Sequence, residues 1–254
     1  MGLFDSPTET RTFTFHERVA LIELKLDAAE IELAASDDDT ICVEIEESKS
    51  ASSTPPLVPE LIGTKLRLER GIVERVNSRR RLQVRISAPR GVSLGARVNA
   101  CKLHVVDRAS DLIDIQADAG SIRLERITGT VRLRGNAVKA DLSDVRGDFD
   151  ATTNAGSLVA RGLDSSAVRV ALDVGRADLQ LVRRPSSLEV RTNVGSVDVS
   201  LPAGAYNVAA TSNIGSVKLD GIDHDGSSPE RVTVDVSVGK VRLSGVAASV
   251  PAPY

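Results

Sequence analysis

Apolar and polar residues alternate with a period of two along much of the chain. The alternation is clear in residues 12–15, 19–26 and 41–46, which are separated by polar clusters rich in Asp and Ser. Successive side chains of a β-strand point to opposite faces, so this pattern predicts strands that bury one face. No stretch of useful length has the 3.6-residue period of a helix. The sequence therefore predicts an all-β protein.

A seven-residue phrase recurs through the second part of the chain. Its first position is usually Asn or Asp, its second is a small apolar residue, its third is usually Gly and its fourth is polar. The fifth and seventh positions are apolar, and the sixth is variable. The eight copies begin at Asn99, Asp118, Asn136, Asn154, Asp173, Asn193, Asn213 and Ser237. Their third residues are separated by 19, 18, 18, 19, 20, 20 and 24 positions. A strand-like repeat of nearly fixed length is typical of stacked β-architectures.

Each repeat contains two short predicted strands and two corners. In the copy that begins at Asn193, the strands cover residues 188–192 and 196–200. Gly195 can adopt a positive φ or admit a neighbouring backbone, and Asn193 can hydrogen-bond the amides of the turn. One such unit in 18–20 residues predicts one coil of an elongated, β-helix-like β-solenoid. Antiparallel pairing within each repeat would instead give a β-sandwich of repeated hairpins.

Stacked coils would bring the first residues of the phrases into register. Several of these residues are asparagines, whose amides can hydrogen-bond one another along a stack of strands. The sequence therefore predicts a side-chain ladder formed by Asn99, Asn136, Asn154, Asn193 and Asn213.

The repeats predict a single β-repeat domain over residues 1–254. Residues 10–95 are its irregular N-terminal strands, residues 96–245 are the regular repeats, and residues 246–254 form a C-terminal tail. Residues 27–33 resemble an early copy of the phrase. Residues 65–69 and 81–86 are expected to pair as a hairpin-like insertion after a loop rich in Ser and Pro.

The two ends of the predicted stack need covers, because a terminal coil has an unpaired edge. Residues 10–26 and the Pro-rich segment are expected to cover the N-terminal coil. Val246, Val250 and Tyr254 are apolar enough to fold across the rung that contains Leu243, while Pro251 and Pro253 would keep the tail from extending the sheet. We therefore expect the tail to cap the stack.

Composition narrows the functional classes. Only 2% of the residues are aromatic, which fits thin coils filled by aliphatic side chains better than a sandwich core. The formal net charge of −3 gives no long-range attraction to nucleic acid. The sequence contains no apolar run long enough to predict a membrane span. The first residues lack a signal-peptide pattern, and two cysteines are too few for a disulfide scaffold, so a cytoplasmic location is expected.

No group of residues predicts a catalytic, cofactor-binding or metal site. His104 is expected on a solvated outward face, and His224 in a solvated loop. The acidic run at residues 37–39 lacks the spacing of a calcium loop and predicts a turn. The recurrent Gly-Ser pairs precede strands rather than helices, which favours a scaffold over a phosphate site. The basic cluster Arg75, Arg79, Arg80, Arg81 and Arg85 indicates a solvated hairpin tip or a partner contact.

The phrases that begin at Asn193 and Asn213 resemble those of a widespread bacterial family of unknown function. Its members carry the names β-strand-repeat protein or putative adhesin, and the resemblance covers about residues 18–245. It implies a β-solenoid-like fold and no known catalytic residues. Some relatives resemble envelope-stress accessory proteins held at a membrane.

We interpret the sequence as that of a non-enzymatic β-repeat scaffold or protein-interaction module. Its expected partner is an unidentified protein, and self-association is a further possibility. Two alternatives remain open at this point: a cell-surface adhesin or envelope-stress accessory protein, and a carbohydrate-active β-helix enzyme. Such an enzyme requires paired carboxylates in a cleft, and the acidic residues of this sequence are scattered.

Overall fold

The computed structural model of the chain describes residues 8–48, 55–70 and 82–246, and every regular element within them is a β-strand. The all-β prediction is therefore confirmed. In chain order the strands are β1 (Thr8–Phe15), β2 (Leu21–Asp27), β3 (Ala29–Ser36), β4 (Ile41–Ser48), β5 (Glu60–Ile62), β6 (Lys65–Arg70), β7 (Leu82–Pro89), β8 (Ser93–Asn99), β9 (Cys101–Arg146), β10 (Phe149–Leu163), β11 (Ala167–Leu181), β12 (Ser187–Pro202), β13 (Gly204–Asp220), β14 (Ile222–His224) and β15 (Arg231–Val246).

The long strands of the repeat region pair in parallel, and from β9 to β12 each pair joins residues one repeat apart. Ala151 of β10 lies opposite Leu133 of β9 on one side and Val170 of β11 on the other. Val170 in turn lies opposite Val190 of β12. The pairing is continuous through the corners, so single strands extend well beyond the usual length, and β9 spans 46 residues. We refer to each parallel layer of the stack as a rung.

Inward-facing residues form aliphatic rows that run across the rungs. One row passes through Ala151, Val170, Val190 and Val234, none of which is more than 1% exposed. Each rung places a small or branched aliphatic side chain at this position. Most of the interior is therefore filled by aliphatic side chains, in agreement with the low aromatic content, and Phe149 and Tyr206 are buried among them.

The C-terminal strand β15 lies between β12 and β13 rather than at the end of the sheet. Leu243 of β15 is opposite Val199 of β12 and Leu219 of β13, and it is 0% exposed. The expectation that the tail caps the rung containing Leu243 is wrong, because another rung already covers it. The longest step between phrases, 24 residues, gives the chain enough length to return and insert. Residues 247–254 lie outside the described part.

The N-terminal strands also depart from the predicted order. The expected hairpin between residues 65–69 and 81–86 is wrong, because β6 pairs in parallel with β2 and β7 pairs in parallel with β3. Leu66 and Leu68 of β6 continue the buried rows of β2, which a hairpin with β7 would have broken. Residues 27–33 do act as an early copy of the phrase, since Asp27 is opposite Asn99.

Antiparallel strands close the N-terminal end of the stack. β5 pairs with the outer edge of β6, β4 pairs with the outer edge of β7, and β1 pairs with β4. Part of the expected cover, β1, is therefore on the outside, but β2 is an internal rung flanked by β6 and β8. In the part of the chain that the structure describes, there is no helix of the length and apolarity needed to cross a membrane.

The glycine of the phrase lies where the backbones of successive rungs approach closely. Gly195 has a φ of 154°, and a Cβ atom on it would lie 1.8 Å from the carbonyl oxygen of Gly175. A side chain would therefore strain the backbone and displace the neighbouring rung. The corner role predicted for this glycine is confirmed.

We predict that Gly195→Val lowers the free energy of unfolding by roughly 2–4 kcal/mol, through backbone strain and overpacking. The control is Asp198→Asn, an outward residue three positions away, which should change stability by less than about 0.5 kcal/mol. Urea denaturation of both variants measures the effect. Equal midpoints for the two variants would contradict a structural role of the corner.

Candidate binding surface

The first residues of the phrases form a hydrogen-bonded ladder on one corner of the stack. The Nδ2 atom of Asn154 donates to Oδ1 of Asn136 at 2.9 Å, and Nδ2 of Asn136 donates to Oδ1 of Asp118 at 2.8 Å. Further along, Nδ2 of Asn193 donates to Oδ1 of Asp173 at 3.0 Å. The ladder prediction is confirmed for these three asparagines. Two carboxylates take part as acceptors, and we observe no ladder bond from the predicted members Asn99 and Asn213 among the described residues.

Asp27 lies in the same column as the ladder and has a raised pKa. Burial, followed by the nearby charge of Asp118, raises the pKa of Asp27 above its usual value. Two carboxylates in one column repel each other when both are charged. Despite this proximity, we observe no set of three or more His, Cys, Asp or Glu side chains with the geometry of a metal site in the described ranges.

An exposed apolar column lies directly beside the ladder. It consists of the second residues of four phrases, and their exposed fractions are 52% for Val174, 47% for Val194, 41% for Val238 and 68% for Ile214. These residues are opposite one another in successive rungs. We call this column the apolar ridge. At the usual spacing of about 4.8 Å between strands it is roughly 15 Å long.

The apolar ridge has a signal in the sequence that the alternation pattern did not reveal. The second residue of the phrase is alanine in the first four copies (Ala100, Ala119, Ala137 and Ala155) and valine or isoleucine in the last four. A corner interrupts the two-residue alternation, so the pattern alone does not say whether this residue faces inward or outward. The change from alanine to larger side chains over four successive rungs is the feature that marks the ridge.

Charged residues of both signs flank the ridge. On the strand that follows the corner, Nη2 of Arg176 lies 3.1 Å from Oδ2 of Asp198. On the strand that precedes it, the Thr211 hydroxyl donates to Oδ1 of Asp235 at 2.8 Å. The surface is therefore an apolar strip between mixed polar margins, which resembles the arrangement of protein-binding surfaces.

A groove of about 290 Å³ lies on the outward face of the middle rungs. Asp150, Arg169 and Glu189 form one row across it, with the arginine between the two carboxylates. Nε of Arg169 is 3.1 Å from Oε2 of Glu189, and Arg191 also contacts that carboxylate. The groove therefore brings acidic residues closer together than the sequence suggested, but each is beside an arginine.

His104 and the acidic run occupy the positions that the sequence predicted, whereas His224 ends strand β14 instead of lying in a loop. His16 and His224 are exposed, and residues 37–39 form an exposed bend between β3 and β4. His104 faces outward, and its Nε2 lies 3.3 Å from Oε1 of Glu125. Of the basic cluster, only Arg85 is described, and it pairs with Glu44 at 2.6 Å; Arg75, Arg79, Arg80 and Arg81 lie outside the described residues.

Cys101 replaces the glycine of the first phrase and is only 3% exposed. The amide of Ala29 donates to its Sγ atom at 3.3 Å. Burial raises the pKa of this thiol, so it stays protonated and unreactive near neutral pH. Both described cysteines, Cys42 and Cys101, are free thiols. Cys101 is therefore a small structural residue of the repeat.

Arg108 is a buried cation that the sequence analysis missed. It is 1% exposed, and its guanidinium donates to the carbonyl oxygens of Ala88 at 2.8 Å and Val92 at 2.7 Å. Burial lowers its pKa to about 10. Asp107 before it has a φ of 56°, which turns the next side chain inward. Arg108 thereby ties the turn between β7 and β8 to β9.

We predict that Arg108→Leu lowers the free energy of unfolding by about 1–3 kcal/mol, since two buried carbonyl groups lose their donors. Arg123→Leu is the matched control, because the Arg123 side chain is 67% exposed, and it should change stability by less than about 0.5 kcal/mol. Urea denaturation compares the two variants. An Arg108 variant as stable as the control would show that the buried guanidinium adds no net stability.

Several solved structures are similar to this chain, and one of them has a TM-score above 0.5. A putative adhesin from Bacteroides fragilis is 12% identical and has a TM-score of 0.54, and the match covers 92% of this chain and 97% of that chain. A putative adhesin from Parabacteroides distasonis is 14% identical and has a TM-score of 0.46, with 95% and 98% of the two chains covered. A third, from Parabacteroides merdae, is 12% identical and has a TM-score of 0.47, with 94% and 96% covered.

The sequence matches no protein-family model and no curated protein. At 12% identity, the similarity to the Bacteroides fragilis protein shows a shared fold alone. The names of these structures are consistent with the family that the repeated phrase resembles.

Proposed function

We propose that this chain is a non-enzymatic β-repeat module that binds a protein partner along the apolar ridge. The observation that carries the proposal is the exposure of Val174, Val194, Val238 and Ile214, all at least 41% accessible, in one straight column. Exposed valines scattered singly are ordinary on protein surfaces, whereas a contiguous apolar strip with polar margins is characteristic of a binding surface.

The proposal includes a solenoid arrangement of the repeats. The parallel register between residues 18–20 positions apart supports coils over hairpins, since a hairpin would pair neighbouring strands in opposite directions. Solenoids present long, regular surfaces on which one column of side chains can contact an extended partner. The ridge is such a column.

A protein partner fits the surface better than nucleic acid does. The net charge of the chain is −3, and the arginines beside the ridge are accompanied by carboxylates, as in the pair Arg176 and Asp198. A phosphate backbone would gain little from such a compensated surface. An apolar segment with a few charged groups of either sign would be complementary to it.

The groove supports a non-enzymatic role as well. A glycoside hydrolase needs one carboxyl group that donates a proton and a second that acts as a base or nucleophile. Here Arg169 separates Asp150 from Glu189, and two arginines contact Glu189. This arrangement favours a surface ion-pair network. Incubation of the purified protein with a panel of polysaccharides tests the carbohydrate-enzyme alternative, and release of reducing sugars would contradict our proposal.

The ridge is tested by the double variant Val194→Asp with Val238→Asp. Affinity capture from cells that express the tagged protein, followed by mass spectrometry, should find a partner that the wild type retains and the ridge variant loses. The matched control is Val182→Asp with Val246→Asp, two valines of similar exposure, 41% and 38%, away from the ridge. Partners retained equally by all three proteins would contradict binding at the ridge.

A surface adhesin is the second candidate, supported by the fold shared with the putative adhesin from Bacteroides fragilis. We propose a cytoplasmic location, and the two functions differ in where the protein must be found. Fractionation and surface labelling of cells that express the native gene distinguish them. We expect the protein in the cytoplasmic fraction and protected from surface labels; labelling on intact cells would favour the adhesin.

A further inference from the structure

The outer edge of β13 is an open end of the stack. On its inner side, β13 pairs with β15 from Asn207 to Asp220. On its outer side, β14 pairs only with the first three residues of β13, and the ring of His224 accepts a hydrogen bond from the amide of Val208 at 3.3 Å. Beyond this point, over residues 209–220, we observe no strand or loop of the described chain on the outer edge.

The open edge exposes side chains that the other rungs bury. Val217 and Leu219 are 40% and 45% exposed, whereas the equivalent residues of β15, Val241 and Leu243, are 2% and 0% exposed. The two rungs carry the same apolar pattern, so the difference arises from the missing cover. The outer edge of β13 therefore combines an unpaired backbone with an uncovered apolar row, which consists of Val217 and Leu219.

This edge also lacks the protection that the opposite end has. Antiparallel strands β4 and β5 cover the N-terminal rung. Natural edge strands are commonly protected by proline, bulges or inward-pointing charges. β13 contains no proline, and its charged residues in the open part, Lys218 and Asp220, alternate with the apolar row rather than interrupting it. The edge is therefore suited to accept another strand.

We propose that the outer edge of β13 pairs with the same edge of a second copy of this chain, about a twofold axis. The phrase forms regular strand pairs, because the copy in β13 pairs in parallel with the copy in β15, and charge complementarity determines the antiparallel register with a second copy. In a second copy, the strand that carries this phrase and has a free outer edge is again β13. Twofold symmetry makes the two strands antiparallel and closes the assembly at a dimer.

Charge complementarity fixes the register of the pair. Lys218 and Asp220 lie on the same side of the strand, two residues apart, and their side chains are 65% and 69% exposed. An antiparallel pair centred on Leu219 places each Lys218 opposite Asp220 of the second copy, and directly opposed charges stabilise such strand pairs. Leu219 then contacts Leu219 of the second copy. This contact uses residues 217–221 and does not depend on partner binding at the ridge.

Sedimentation equilibrium of the full chain over a wide concentration range tests the proposal. We expect a monomer–dimer equilibrium. Lys218→Glu and Asp220→Lys should each raise the dimer Kd by roughly threefold or more, since each places like charges opposite one another. The double variant should restore the wild-type Kd. Asp178→Lys, in the same column but in the middle of the stack, is the control and should leave the Kd unchanged.

A second variant tests the apolar contact. Leu219→Lys should raise the dimer Kd by roughly tenfold or more, because an ammonium group would be buried at the centre of the pair. Val182→Lys, which changes a side chain of similar exposure elsewhere, should not. Circular dichroism and thermal unfolding establish that each variant is folded, and if Leu219→Lys is unfolded, the charge exchange at the exposed Lys218 and Asp220 decides.

Several results would overturn the proposal. These are a monomer at every concentration, a dimer that neither the Leu219 variant nor the charge exchange affects, and higher oligomers or filaments in place of a dimer. A chain truncated after Val246 that dimerises while the full chain remains monomeric would also overturn it, because residues 247–254 would then be the cover of the edge.

Discussion

The close approach of backbones at the glycine corner is the constraint on which the rest of this structure depends. Gly175, Gly195 and Gly239 follow one another in register, and a Cβ atom on either of the last two would lie within 1.8 Å of a carbonyl oxygen in the adjacent rung. Each rung must therefore follow the path of its neighbour. Equivalent residues are forced into columns, and the interior rows, the ladder and the apolar ridge all result from that alignment.

The columns impose their own chemistry on the outward residues. Neighbouring rungs are about 4.8 Å apart, so a charged residue is always close to its equivalent in the next rung. Where residues of one column carry opposite charges, they pair. Arg126 donates two hydrogen bonds to Asp107, at 2.6 and 3.0 Å, and these bonds lower the pKa of Asp107. Burial, and then the charge of Asp118 in the same column, raises the pKa of Asp27 instead. A column of valines avoids the repulsion but leaves apolar surface in water.

The repeat predicted which residues share a column, but it could not predict which rungs are neighbours. All rungs carry nearly the same phrase, so β15 fits beside β12 as well as β13 does. Alternation likewise predicted β6 and β7 as strands without identifying β2 and β3 as their partners. Arg108 was missed because the two-residue alternation does not continue through Asp107, whose φ is positive. Alignment of the repeats carries the missing signal, since the equivalent residues Ile127, Val145 and Leu163 are apolar and buried.

The two ends of the sheet differ in the strands that cover them. Every added strand, parallel or antiparallel, satisfies one edge and creates another. At the N-terminal end the chain reverses direction, and β4 and β5 cover the outer edges of β7 and β6. At the other end β15 returns in parallel and enters the interior, so it stabilises β13 from within and leaves its outer edge unchanged. A twofold-related copy of β13 pairs with part of that edge and adds no further edge, because each of the two strands is the partner of the other.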